Sequence, residues 1–261
     1  MTEARGVGYP KGRAESRCLI IGDVSLQLHF SQSPLLERVH GRYAGFWGVS
    51  AATFPVFINC GTLPAPRDVC FTHSLHGASL QLTSGAAYLT AVAHEQTLDS
   101  LLRILLSVLL VYRRGLLLHA ATIVRNQRSY VFTGRSGIGK STVARLSPPG
   151  TTLTDEVSLL RLEENCCHAY GTPFWGEFRA VGRNQKAPVA GIYVLVQGLE
   201  NRLEKLLPNQ KLAALLSNAL FFARARPERQ QLLSLLLELI QRVPLYQLQF
   251  RRDPTFWEVV A

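Results

Sequence analysis

Apolar and polar positions change rhythm along the chain. From residue 18 to 93, the segments CLIIGDVSLQLHF, FPVFINC and ASLQLTSGAAYLTAVA alternate short apolar stretches with Gly, Pro and Ser breaks, the mark of strands. Residues 1–96 are accordingly read as a β-rich N-terminal part. The stretch LLRILLSVLLVY, 101–112, is apolar on all sides and predicts a buried core helix. It is too short for the roughly 18 to 20 residues of a membrane span, and it carries Arg103. Thr97 and Asp99 offer N-caps, while Arg113, Arg114 and Gly115 supply the positive charge and the stop expected at a helix C-terminus.

Beyond that helix, LLLHAATIV and SYVFTG are two apolar runs joined by the tetrapeptide RNQR, short enough for a hairpin. From 199 onward the leucines recur at three- and four-residue spacing in NRLEKLLPNQKLAALLSNALFF and PERQQLLSLLLELIQR, which predicts helices, with Pro208 kinking or splitting the first. VPLYQLQF reads as a final strand. The pattern as a whole predicts an α/β (mixed α+β) protein with C-terminal helices, and a second part covering 97–261.

Composition narrows the class. Of the residues, 47% are hydrophobic and 18% charged, which describes a globular chain with a sizeable core and excludes disorder as the overall state. Five scattered cysteines and an N-terminus without an apolar core lead to the expectation of a reducing, cytoplasmic compartment. The net charge of +10 invites a nucleic-acid reading. The arginines, however, fall in dispersed groups (Arg113 and Arg114; Arg224, Arg226 and Arg229; Arg251 and Arg252) without a basic run or aromatic-basic motif, so nucleic acid is not the expected partner, and an anionic substrate such as ATP or an acidic partner protein explains the excess equally well.

The candidate chemistry lies in FTGRSGIGKST, 132–142. Gly134 to Ser141 spell G-x-x-x-x-G-K-[ST], in which Gly134, Gly137 and Gly139 let backbone N–H groups turn toward phosphate oxygens, Lys140 reaches the terminal phosphates and Ser141 holds Mg²⁺. A strand through Tyr130, Val131 and Phe132 enters the loop, and a helix limited to about two turns by Pro148, Pro149 and Gly150 leaves it. In TTLTDEVSLLRL the acids Asp155 and Glu156 precede the apolar run, so they sit early in a strand, with Glu156 pointing away from Asp155 unless a local bulge intervenes.

HAATIVRNQRSYVFTGRSGIGKSTVARL followed by LTDEVSLL resembles the catalytic domain of HPr kinase/phosphorylase and its kinase-like relatives, with 116–160 the best-matched region and a looser similarity through GTPFWGEF and NQKAPVAGIYVLVQG. The resemblance implies a fold like that of phosphoenolpyruvate carboxykinase, a P-loop on a mixed, partly antiparallel sheet. It implies that Gly134, Arg135, Ser136, Gly137, Ile138, Gly139, Lys140, Ser141 and Thr142 bind the phosphates of ATP and that Asp155 is the base accepting a hydroxyl proton. In the same transfer His119 assists or orients Asp155. Glu156, pointing the other way, is read either as a metal contact through water, beside Ser141 on Mg²⁺, or as facing solvent. The implied activity is an ATP-dependent kinase acting on a serine hydroxyl of a protein, peptide or small molecule, and the resemblance favours a homo-oligomer.

Thr142 stands where the bacterial enzyme has an acid, and Glu156 where it has an aspartate; these departures leave ATP binding intact and turn the acceptor away from HPr. They also keep open a nucleotide-binding sensor or assembly module without transfer, and an ATPase. His119, among Leu117, Ala121 and Ile123 on one strand face, reads equally as a hydrogen-bonded core histidine. Glu177, in a Gly- and Pro-bounded loop, is a candidate substrate contact. Cys70, His73 and His76, and Cys166, Cys167 and His168, lack a second ligand pair at zinc-site spacing and are taken as ordinary thiols and surface histidines.

Overall fold

The computed structural model describes residues 15–61, 66–176 and 182–260. The chain divides into two compact units, Met1–Leu105 and Leu106–Ala261.

In the first unit, β1 (Glu15–Ile21), β2 (Val24–Phe30), β3 (Trp47–Gly48), β4 (Phe54–Ile58), β5 (Phe71–Leu75), β6 (Ala78–Leu82) and β7 (Ala87–Thr90) form one sheet, in the order β3-β1-β2-β4-β7-β6-β5. Strict alternation explains why these segments are strands: in β2, Val24, Leu26, Leu28 and Phe30 are buried and the residues between them face outward. The pairs β2–β4 and β4–β7 are parallel, which requires a crossover, and α1 (Ser33–Arg42) supplies the first. That helix was not legible in the alternating pattern. It buries Leu35, Leu36 and Val39.

Helix α2 (Glu95–Val111) contains the predicted core stretch but starts earlier than its N-cap candidates, so Thr97 and Asp99 lie within it. Asp99 is engaged elsewhere: its buried carboxylate accepts hydrogen bonds from Arg42 Nε at 2.7 Å and from the Tyr43 hydroxyl at 2.7 Å. The Leu98 N–H reaches back to the His94 carbonyl instead. At the other end the stop is Arg114, at φ 57°, rather than Gly115, which opens the next strand.

The second unit is built on two long strands, β8 (Gly115–Arg125) and β13 (Lys186–Gln197). Around them lie β9 (Arg128–Thr133), α3 (Lys140–Leu146), β10 (Thr152–Thr154), β11 (Val157–Leu162), β12 (Cys167–Tyr170), β14 (Arg202–Lys205), α4 (Pro208–Asn218), β15 (Ala219–Leu220), α5 (Arg226–Arg242), β16 (Leu245–Phe250) and α6 (Trp257–Val260). The β8–β9 hairpin forms as expected: Arg125 pairs with Arg128, and Asn126 and Gln127 both take positive φ, the conformation of a primed two-residue turn. β9 then runs parallel to β13 and β13 parallel to β16, so the sheet is mixed. The pairings β8–β9–β13–β12–β11 lead back to β8, because the two long strands bond different neighbours along their length.

The two faces of this sheet bury different partners. Leu116, Leu118 and Ala120 of β8 pack with Leu215 of α4 and Leu232, Leu236 and Leu239 of α5. Ile123 and Phe132 lie on the other face with Val143 and Ala144 of α3, Tyr193, Phe256 and Trp257. The expectation for NRLEKLLPNQKLAALLSNALFF is corrected here. Pro208 neither kinks nor splits a helix: it sits in the first turn of α4, where its missing N–H costs nothing, and the residues before it form β14, antiparallel to β16.

Candidate functional site

Residues 119–121 of β8 are the point where the candidate site assembles. On one edge, Thr133 at the end of β9 pairs with Ala120, and its hydroxyl donates to the His119 carbonyl at 2.9 Å, so Gly134 leaves the sheet beside His119. On the other edge, Thr154 of β10 pairs with Thr122 and Val157 of β11 with His119, which brings Asp155 and Glu156 opposite Ala121 and Ala120. The loop and the acids are therefore separated by two strand spacings, about 10 Å of backbone. The charge of Glu156 is felt across that gap at Lys140.

Within the loop, Gly134, Gly137 and Gly139 have φ of 142°, 75° and 128°, a region that side-chain-bearing residues avoid. Gly139 is also closely approached, since a Cβ there would stand 3.1 Å from the Phe250 ring. Arg135, Ser136 and Gly137 are exposed, Ile138 anchors the loop in the core, and Ser141 and Thr142 are half-buried on the first turn of α3. α3 ends at Leu146, two turns on, as Pro148 and Pro149 require. The buried Lys140 folds back so that its Nζ donates to the carbonyls of Gly134 at 2.8 Å and Arg135 at 3.1 Å. Burial lowers its pKa from the ordinary lysine value, and the negative charge of Glu156 partly opposes that shift.

The acids do not sit early in one strand. The chain bends at Asp155 and Glu156, between β10 and β11, and a register shift between Thr152 and Thr154 precedes the bend. Thr154 and Thr172 fix it, both donating to the Val157 carbonyl, at 3.0 and 2.6 Å. The bend removes the strict alternation that would send the acids to opposite faces. Glu156 reaches His119, with Oε1 3.4 Å from Nδ1, while Asp155 is almost wholly buried and its Oδ1 accepts the Gly176 N–H at 3.3 Å.

Of the residues singled out from the sequence, Glu156 meets His119 and its charge acts on Lys140, and Asp155 lies next to Glu156 under the loop 171–176. Glu177 lies outside the described residues. The sequence reading missed Gly176: a Cβ there would be 2.5 Å from Glu156 Oε2, so a side chain at this position would displace the Glu156 carboxylate. It also missed the backbone approach of Gly171 and Gly182, whose added Cβ atoms would overlap the carbonyls of Arg183 and Thr172. Three glycines within GTPFWGEFRAVG were the available signal. The donor set fits a phosphate-bearing ligand with a hard cation: a backbone turn open to solvent at Gly137, one ammonium, a hydroxyl on Ser141 and a carboxylate on Glu156.

Comparison with known proteins gives a matching family model and a set of solved structures, 61 chains in all. Part of the chain is similar to the HPr(Ser) kinase/phosphatase from Coxiella burnetii, at 17% identity over 47% of this chain and 87% of that one, with a TM-score of 0.26. No curated protein matches. The family model described as SynChlorMet cassette protein ScmC matches residues 90–261, a span that takes in the loop, the acid bend and both faces of the sheet they stand on. With about two thirds of its length covered by that match, this chain belongs to the ScmC family of SynChlorMet cassette proteins.

Proposed function

We propose that residues 97–261 form a P-loop kinase domain of the HPr kinase-like kind, which binds ATP and transfers its terminal phosphate to a serine hydroxyl of a protein, peptide or small molecule. The observation that carries this reading is the convergence at His119–Ala120 of β8, where the glycine loop leaves one edge and the acid bend faces the other. The sequence resemblance of 116–160 to the catalytic domain of HPr kinase supports it independently.

In this proposal the ammonium of Lys140 exchanges its two loop carbonyls for phosphate oxygens and offsets their charge, and the loop amides hold the phosphate chain in place. Asp155 accepts the serine proton as the hydroxyl oxygen bonds to phosphorus and the nucleoside diphosphate departs. His119 holds Glu156 in position through Nδ1. Mg²⁺, when bound through Ser141 and Glu156, supplies further neutralisation of phosphate charge.

Asp155 also motivates a second reading, a nucleotide-binding module without transfer. Its carboxylate is covered, with Oδ1 committed to the Gly176 N–H, so an acceptor meets it only if the 171–176 loop moves. Incubation with labelled ATP and the proteins and peptides encoded beside the gene separates the two. The kinase reading expects a phosphoserine product that Asp155→Asn abolishes while ATP binding survives. Transfer undiminished in Asp155→Asn excludes this residue as the base, and ATP binding without product in any mixture favours the module.

A further inference from the structure

The hairpin between β11 and β12 carries a second cluster, separate from the glycine loop. Glu163 and Cys166 face each other across its turn, where the Glu163 N–H donates to the Cys166 carbonyl at 2.9 Å. His168 follows two residues later on the same side of the strand. Cys167, between them, points into the core, where burial pushes its thiol up to about 12. The period of two therefore sorts the CCH triplet: one thiol is structural, and the other is presented beside an imidazole.

The donor atoms of Glu163, Cys166 and His168 all lie within 4.8 Å of one another. His168 Nδ1 is 3.2 Å from Glu163 Oε2 and 3.5 Å from Cys166 Sγ. Metal–ligand bonds of about 2.0 to 2.3 Å in a tetrahedron place neighbouring donors roughly 3.3 to 3.8 Å apart, so these spacings are close to those of a formed site.

The surroundings hold the donors in place. Glu163 Oε1 accepts from the Tyr170 hydroxyl at 2.8 Å and from Lys186 Nζ at 3.1 Å, which orients the carboxylate and leaves Oε2 toward the histidine. Burial works against the Glu163 charge, but those two hydrogen bonds and the nearby His168 and Lys186 outweigh it and keep the carboxyl below its usual range. Arg242 pins the turn itself, donating to the carbonyls of Glu163 at 2.8 Å and Glu164 at 3.0 Å, and its own charge is paired with Glu238 at 2.8 Å.

We propose that Glu163, Cys166 and His168 form a site for a thiophilic divalent cation of the Zn²⁺ class, with a fourth position open to water or an incoming ligand. One carboxylate, one thiolate and one neutral imidazole balance the two positive charges. A thiolate in the set selects Zn²⁺ and its soft neighbours over the hard Mg²⁺ of phosphate chemistry. Binding releases the thiol proton to solvent, so affinity rises with pH. The site is independent of the nucleotide reading, because none of its donors belongs to the loop or the acid bend.

The test uses the full-length chain and Zn²⁺ alone, titrated against a chromophoric chelator, with Co²⁺ substituted to reveal thiolate ligation as a charge-transfer absorption. The wild type is expected to take one equivalent and to show the band. Cys166→Ser should abolish the band, and both it and His168→Ala should weaken Zn²⁺ binding at least about tenfold. A readout that needs no variant is alkylation mapped by mass spectrometry, in which Zn²⁺ should protect Cys166 while the exposed Cys70 stays reactive. No stoichiometric uptake, an unchanged band in folded Cys166→Ser, or equal alkylation of Cys166 with and without Zn²⁺ would overturn the proposal.

Discussion

Replacing Lys140 with methionine separates what this side chain does for the fold from what it does for a ligand. Methionine keeps the length and most of the volume and removes the charge. The two hydrogen bonds to Gly134 and Arg135 are lost, and with a charged donor each contributes about 1.5 to 3 kcal/mol, so roughly 3 to 6 kcal/mol is forfeited. Against that stands the burial of an ammonium that is only 6% exposed, whose desolvation costs several kcal/mol and disappears with the charge. The two effects nearly cancel, and the variant should unfold within about 2 kcal/mol of the wild type. Its response to nucleotide should not be spared. A unit charge about 4 Å from phosphate at an effective dielectric of about 20 is worth roughly 4 kcal/mol, close to a thousandfold in affinity. At an ATP concentration one hundred times the wild-type Kd, ligand stabilisation should fall from about 2.7 kcal/mol to less than about 0.1 kcal/mol. Urea unfolding with and without ATP measures both quantities. An ATP-induced shift of wild-type size in Lys140→Met would refute the assignment of this ammonium to the phosphates.

Other perturbations address the acid bend and the C-terminus. Gly176→Ala places a methyl 2.5 Å from Glu156 Oε2, the far end of a flexible side chain, so the fold should change by less than about 1 kcal/mol while Glu156 is driven from His119. Calorimetric titration should then show weakened Mg²⁺-dependent nucleotide binding beside unchanged urea stability. Asp253 is held at about 2, against an ordinary 3.8, by hydrogen bonds from Thr255 and Arg251. A depressed carboxyl contributes stability at pH above 3.8 that is lost as pH falls toward 2, so the stability gap between wild type and Asp253→Asn, followed by denaturant midpoints, should close over that window.

The strands and the hairpin were legible because their signals are local: β2 alternates without fault, and Asn126-Gln127 between two apolar runs leaves few alternatives to a two-residue turn. The glycine loop was legible for the same reason, each glycine marking a backbone angle. Helix limits were less so. Thr97 and Asp99 are good caps by chemistry, but Asp99 is claimed by Arg42 and Tyr43, more than fifty residues away in the chain, and no local pattern reports that. Pro208 is visible in the sequence but its effect is not, since a proline that splits a helix and one that opens a helix leave the same leucine spacing. The geometry around Asp155 and Glu156 was hidden for a related reason: the bend is held by Thr172 and covered by Gly176, both brought in by the turn of the chain after β12. Glu163 is not visible beside Cys166 and His168 in the sequence triplet, because the hairpin register is what supplies this third donor.

The proposed kinase function stands on the glycine loop cradling the phosphates of ATP. Amide hydrogen exchange of the full-length protein with and without Mg²⁺ and ATP tests it most directly, because it reads the backbone N–H groups said to make the contact. Added protection is expected to concentrate in residues 134–142, with a smaller gain at 155–157 and none in β1 through β7. Exchange in 134–142 that is unchanged at saturating nucleotide, or protection that appears only elsewhere, would contradict it.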